Sequence, residues 1–204
     1  MRKTSALGLA AATALISAAS LGAASHAAAA TTFTVTPGGA TTATAGSTTV
    51  QDTATGTSIT CTSSTANATV ASGSGLSGNG IATINSIVLN GCTGPLGISF
   101  SGTVAGASTL NAVSYSAGVT SGNLTGITGS ASSFLCSFSV AGASASTPGT
   151  VTGTYTNSTH TLSTSGGDLH LWGVSGCFGF VRSGDPVAFN ASYSLSPAQT
   201  ITSP

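Results

Sequence analysis

Phe134, Cys136, Phe138 and Val140 stand at every second position of one short run. A side-chain period of two belongs to an extended strand and places all four on one face, as in the core strand of a sandwich. Similar short runs recur along the chain, separated by Gly, Ser and Asn. Strands are expected over 58–62, 66–71, 80–89, 97–104, 110–116, 123–128, 132–141, 150–156, 161–164, 168–175 and 187–196. The run from Ile81 to Ile87 alternates imperfectly. This spacing, with Gly-rich turns and no amphipathic helical period after residue 30, predicts an all-β fold. The expected architecture is an antiparallel β-sandwich or partly closed barrel of about ten short strands. Residues 31–57 form a Thr-rich N-terminal segment ahead of a β-sandwich domain at 58–204. Phe33 and Val35 alternate with Thr there, which predicts an edge strand that Pro37-Gly38-Gly39 then breaks into a loop.

Residues 1–30 read as a signal peptide. Arg2 and Lys3 are followed by an Ala-rich apolar run from Ala6 to Leu21, and then by small residues suited to cleavage after Ala27 or Ala30. Without that segment the charged side chains are Asp52, Asp168, Arg182 and Asp185, one positive and three negative, for a formal charge of −2. Nucleic acid is excluded as a partner, because binding phosphates needs clustered Lys and Arg. The same shortage argues against anionic lipid surfaces, and no later stretch has the roughly 20 apolar residues of a membrane helix. A low-charge, Ser/Thr-rich surface suits a protein that is extracellular or cell-wall associated. Its expected partners are cell-wall polysaccharide, a small apolar ligand or its own copies.

In an exported chain the four Cys are expected to form two disulfides. Counting alone leaves three connectivities open. The two halves of the chain look related, as in a duplicated β module. A strand bearing Cys61 or Cys136 is followed, 31 or 41 residues later, by a Gly-Cys-x-Gly turn at Cys92 or Cys177. That symmetry predicts the pairs Cys61–Cys92 and Cys136–Cys177, with the flanking glycines permitting positive φ and close strand approach. No CxxC pair occurs, so a metal site is not expected, and no cofactor is implied.

Gly91-Cys92-Thr93-Gly94-Pro95, Gly153–Ser158 (GTYTNS), Val174–Cys177 (VSGC), Ser183–Pro186 (SGDP) and Ser196–Ile201 (SPAQTI) together resemble a group of uncharacterised small secreted proteins of actinobacteria. The resemblance covers nearly the whole chain after residue 30. It implies a compartment and a fold, and it carries over no catalytic residues.

The densest chemistry lies in 168–186, which holds Asp168, His170, Trp172, Arg182 and Asp185. Asp168 and His170, at i and i+2, are the sharpest acid–base pair available to a hydrolase. No Gly-x-Ser-x-Gly elbow accompanies them. With no Glu and a single Trp, a glycosidase built on Asp168 and Asp185 would be poorly equipped. Asp185 more simply shapes the turn before Pro186. The chain is therefore expected to be non-catalytic, with a binding or structural role outside the cell. Asp168, His170, Trp172, Arg182 and Asp185 are its candidate ligand-binding residues. The rival expectations are a small-molecule carrier, recognisable by an apolar pocket lined by Phe, and a hydrolase using Asp168 and His170.

Overall fold

Thr, Val, Ser and Ile at alternating positions, with Gly where the chain must turn, commit this sequence to extended backbone. The computed structural model describes residues 31–204; the expected signal peptide lies outside the described residues. Fifteen strands follow in order: β1 (Thr32–Thr36), β2 (Gly39–Ala45), β3 (Thr48–Asp52), β4 (Ser58–Val70), β5 (Gly73–Ser77), β6 (Ala82–Thr93), β7 (Ser99–Ala105), β8 (Ser108–Ser116), β9 (Val119–Ser132), β10 (Cys136–Ala141), β11 (Gly149–Thr156), β12 (Thr161–Gly167), β13 (Leu169–Gly176), β14 (Pro186–Ser196) and β15 (Thr200–Thr202). The architecture is all-β and antiparallel, as expected, with more strands than the sequence alone suggested.

The ladder closes on itself. Four long strands, β4, β6, β9 and β14, run through the wall, and pairs of short strands fill the positions between them. Near one end the ring reads β4–β6–β8–β9–β11–β12–β14–β2 and returns to β4. Near the other it reads β4–β6–β7–β9–β10–β13–β14–β3 and again returns to β4. The result is an eight-position barrel, with its narrowest seam between β13 and β14, which pair over two residues.

The N-terminal segment belongs to this wall rather than preceding it. β2 pairs with β4 and β14, and so does β3. The segment boundary expected at residue 58 is thus not a structural one. Thr-rich alternation reads as a weak edge strand because Thr is only half apolar, yet Ala43, Ala45 and Thr48 are all buried.

Imperfect alternation marks bulges. Asn67 pairs with Ser86 and Ala68 with Ile84, so Asn85 is an extra residue in β6. Ile84 and Ile87, three apart, therefore both reach the interior. Phe134 corrects the expected strand over 132–141. Ser133 Oγ accepts hydrogen bonds from the N–H groups of Leu135 and Cys136, at 3.3 and 3.0 Å, which folds 133–135 into a tight turn. β10 starts at Cys136, and Phe134 stays outside, 84% exposed.

Both disulfides form as the half-chain symmetry predicts, Cys61–Cys92 and Cys136–Cys177. Cys61 and Cys92 lie directly opposite each other on β4 and β6. Gly176, before Cys177, has φ 73°, and a Cβ there would collide with the Leu135 carbonyl, so only glycine permits this approach.

A three-stranded sheet, β15–β1–β5, covers the end of the barrel where β4 finishes and β6 begins. Phe33 and Val35 from β1 and Ile201 from β15 pack there on Val70, Ile81 and Tyr155. Gln199, fully buried, ties this cap down. Its Oε1 accepts from Gly38 N–H at 2.9 Å, and its Nε2 donates to Thr41 Oγ1 and the Pro197 carbonyl. Its own carbonyl accepts from Tyr155 Oη at 2.6 Å. Asn157 exchanges two hydrogen bonds with the backbone of Ile201.

Candidate functional site

Inward positions along the wall are apolar, while the outward ones are largely Ser, Thr and Asn. This is the reverse of a membrane-spanning barrel, which turns its apolar side chains outward. The outer polar groups satisfy one another across strands. Thr42 Oγ1 donates to Asn67 Oδ1, Asn67 Nδ2 donates to Ser86 Oγ, and Asn85 Nδ2 donates to Thr69 Oγ1, at 3.2–3.3 Å.

Eight strand positions give an interior that side chains just fill, or that keeps room for one small ligand. Here it is not filled. Several inward positions carry Ala or Gly, among them Ala43, Ala66, Gly102 and Ala131, where a larger side chain would be needed to close the space. A cavity of about 120 Å³ remains, walled by Ile59, Leu89, Phe100, Phe138, Val151, Leu169 and Phe189 among others. A buried hydroxyl cluster beside this wall satisfies itself. Thr48 Oγ1 and Ser64 Oγ lie 2.7 Å apart, and Ser64 Oγ donates to Tyr193 Oη at 2.9 Å. They sit where β2 gives way to β3 and the wall ladder is interrupted. Burial pushes the Tyr193 hydroxyl above the usual tyrosine range, and burial does the same to Tyr155 under the cap.

At the end of the barrel opposite the cap, a second chamber of about 30 Å³ adjoins the first and shares Val50, Ile59, Phe100, Phe138 and Val187 with it. Four loops frame this mouth: 53–57, 94–98, 133–135 and 177–185. Their tips carry bulky apolar side chains outward. Leu96 is 83% exposed, Phe178 69% and Phe134 84%. Leu96 (φ 59°) and Phe178 (φ 46°) are held in the left-handed region, which side chains of this size rarely adopt. Leu96 lies four residues beyond Cys92, and Phe178 directly follows Cys177.

One carboxylate faces this apolar surrounding. Asp52 ends β3, where Thr48, Val50 and Asp52 share the inward face, and it is 3% exposed. Its Oδ1 accepts from the N–H groups of Ala54 and Thr55, at 2.8 and 3.0 Å. Its Oδ2 is buried and has no hydrogen-bond partner among the described residues. A buried acceptor left unpaired costs about 1–3 kcal/mol. Asp52 lines the mouth chamber.

The residues expected to bind ligand are not gathered into this site. Asp168 is exposed, and its carboxylate accepts from Thr150 N–H. His170 turns outward on β13, between the inward Leu169 and Leu171; its Nδ1 is buried and unpartnered, and its ring lies 6.4 Å from that of Trp172. No Asp168–His170 hydrogen bond joins the pair among the described residues. Trp172 Nε1 donates to the Gly142 carbonyl at 3.0 Å. Arg182 and Asp185 shape one turn, in which Arg182 N–H donates to Asp185 Oδ2 at 2.8 Å. That is the turn-forming role read for Asp185 from Ser-Gly-Asp-Pro. Of the segment 168–186, Leu171 and the stretch at Cys177–Val181 line the mouth chamber. Asp52 was not among the expected site residues. The available signal was an acid in register with the inward Thr48 and Val50.

No family model, no curated protein and no solved structure matches the chain. Fold and site therefore define it: a closed antiparallel barrel with two disulfides, an apolar interior and a mouth ringed by exposed apolar side chains. The disulfides fit an oxidising environment. Among the described residues no helix is long and apolar enough to cross a membrane.

Proposed function

We propose that this chain is a secreted, non-catalytic binding protein that carries a small apolar molecule inside its barrel. The observation that carries the reading is the cavity of about 120 Å³ with hydrocarbon walls, including Phe100, Phe138 and Phe189. An engineered apolar cavity of about 150 Å³ in another protein stays dry and takes up benzene or xenon, so a space of this order has a chemically defined guest. Export is supported by the basic start and Ala-rich apolar run of residues 1–30 and by the two disulfides. Titration calorimetry with benzene, toluene and a bulkier aromatic tests the reading. Saturable binding of one small aromatic per chain, with the bulky one refused, is the expected result. No saturable binding of any of them would overturn it.

A second reading rests on the outer face. The uncharged Thr42–Asn67–Ser86 row suits contact with cell-envelope polysaccharide, giving the barrel a wall-associated or structural role. Co-sedimentation with purified cell wall at high salt checks it, because contacts of this kind do not depend on charge.

A further inference from the structure

The unpaired oxygen of Asp52 identifies what the guest carries. The nearest donors, on the loop 53–57, are already used. The Ala54 and Thr55 N–H groups are bound to Oδ1. The hydroxyls of Thr55 and Thr57 both donate to the Phe180 carbonyl, at 3.0 and 2.8 Å. The rest of the mouth chamber is hydrocarbon, chiefly Pro95, Ile98, Leu135, Phe178 and Phe180. A carboxylate oxygen in such a place has no partner unless the guest brings one.

We propose that the barrel binds an apolar amine, its nitrogen on Asp52 Oδ2 in the mouth chamber and its hydrocarbon body in the larger cavity beyond Phe100 and Phe138. The proposal rests on the reading of the interior as a binding cavity and adds the polar group of the ligand. The sizes fit this division. About 30 Å³ accommodates a group as small as an ammonium, and about 120 Å³ accommodates a small hydrocarbon body. The chemistry fits as well. A protonated amine meets a carboxylate through a charge-assisted hydrogen bond, which is stronger than a neutral one, and apolar walls strengthen it further. The exposed Leu96, Phe134 and Phe178 at the rim would let an apolar guest approach without crossing a polar collar.

Toluene and benzylamine differ by one amine on the same ring and make the test. Both are titrated by calorimetry into the intact protein and into an Asp52→Asn variant, which keeps a side-chain oxygen for the Ala54 and Thr55 N–H groups. The native protein is expected to bind benzylamine at least about tenfold more tightly than toluene. Asp52→Asn is expected to lose that preference while still binding toluene. Equal affinity of the native protein for the two would overturn the role of Asp52 and leave the apolar cavity standing. An amine preference that survives Asp52→Asn would also overturn it, by placing the acceptor elsewhere. Failure of both probes to bind would remove the cavity reading and this inference together. Should Asp52→Asn fold poorly, Asp52→Ser, whose hydroxyl can still accept from the Ala54 N–H, serves as the second variant and is held to the same two outcomes.

Discussion

Phe100 and Phe138 face each other inside the barrel with ring centroids 6.2 Å apart and planes tilted by 45°. Both rings line the large cavity and the mouth chamber, so they stand at the junction between them. Phe100 comes from β7 and Phe138 from β10, the strands that flank the mouth end of β9. Access to the interior from this end is thereby a matter of two side chains rather than of the backbone.

Phe138→Ala should widen the junction of the two chambers. The loss of a buried aromatic ring is expected to lower stability by about 3–5 kcal/mol, partly as transfer free energy and partly as enlarged cavity. The same variant should accept the bulkier aromatic that the native barrel refuses. Urea denaturation and titration calorimetry measure the two effects, and a stability loss below about 1 kcal/mol would show that the ring is not packed as described.

Gln199 holds the cap to the barrel through its buried side-chain amide. Gln199→Leu would leave the Gly38 N–H without its acceptor in a buried place, while Thr41 Oγ1 keeps its bond to the Gly39 carbonyl. The expected cost is about 1–3 kcal/mol, that of one buried orphan. Hydrogen exchange should quicken first in β1 and β15, before the barrel wall opens.

Stability should fall in strong alkali. Burial raises Tyr193 and Tyr155 above their unfolded value near 10, so the folded protein holds these protons longer than the unfolded chain does. Their contribution is complete below about pH 10 and is lost as pH rises from there through the raised folded values. Urea midpoints measured from pH 8 to 12 should decline above pH 10, and Tyr193→Phe should flatten the decline. An unchanged midpoint across that range would contradict the buried hydroxyls.

Breaking Cys136–Cys177 should release the longer loop. The bridge closes 41 residues, for which the chain-entropy account gives about 4 kcal/mol. Cys177→Ala is expected to lose about 2–5 kcal/mol and to loosen the loop that carries Phe178. Peptide mapping without reductant should recover Cys61 linked to Cys92 in native and variant protein alike.

The sequence carried the fold class openly because a period of two survives wherever one face is buried. It also carried the disulfide pairing, through the Gly-Cys-x-Gly repeat, although Cys92 lies within β6 and only Cys177 sits at a turn. Closure of the ring was less visible. It depends on β2 and β3, whose inward residues are Ala and Thr, too small or too polar to stand out from a Thr-rich stretch. Phe134 misled by continuing an alternation that Ser133 had already ended with its own turn. The short motifs GCTGP, GTYTNS, VSGC, SGDP and SPAQTI fall at two places in space. Gly153–Ser158 and Ser196–Ile201 meet through Tyr155, Asn157 and Gln199 under the cap. Gly91–Pro95, Val174–Cys177 and Ser183–Pro186 lie around the mouth. The site itself was hidden because 168–186 concentrates polar residues on the outside of β13 and in a turn, whereas the chamber is made by what is small or missing inside. A cavity leaves no motif, and Asp52 is one acid in a long neutral run.

The most direct measurement is a methyl NMR titration of the native protein with toluene. Signals of Ile59, Leu89, Val151 and Leu169, which wall the cavity, should shift and saturate together with one guest per chain. Signals of the exposed Val88 and Val113 should stay in place. Shifts confined to exposed methyls, or no saturation at all, would contradict an interior that holds a small apolar molecule.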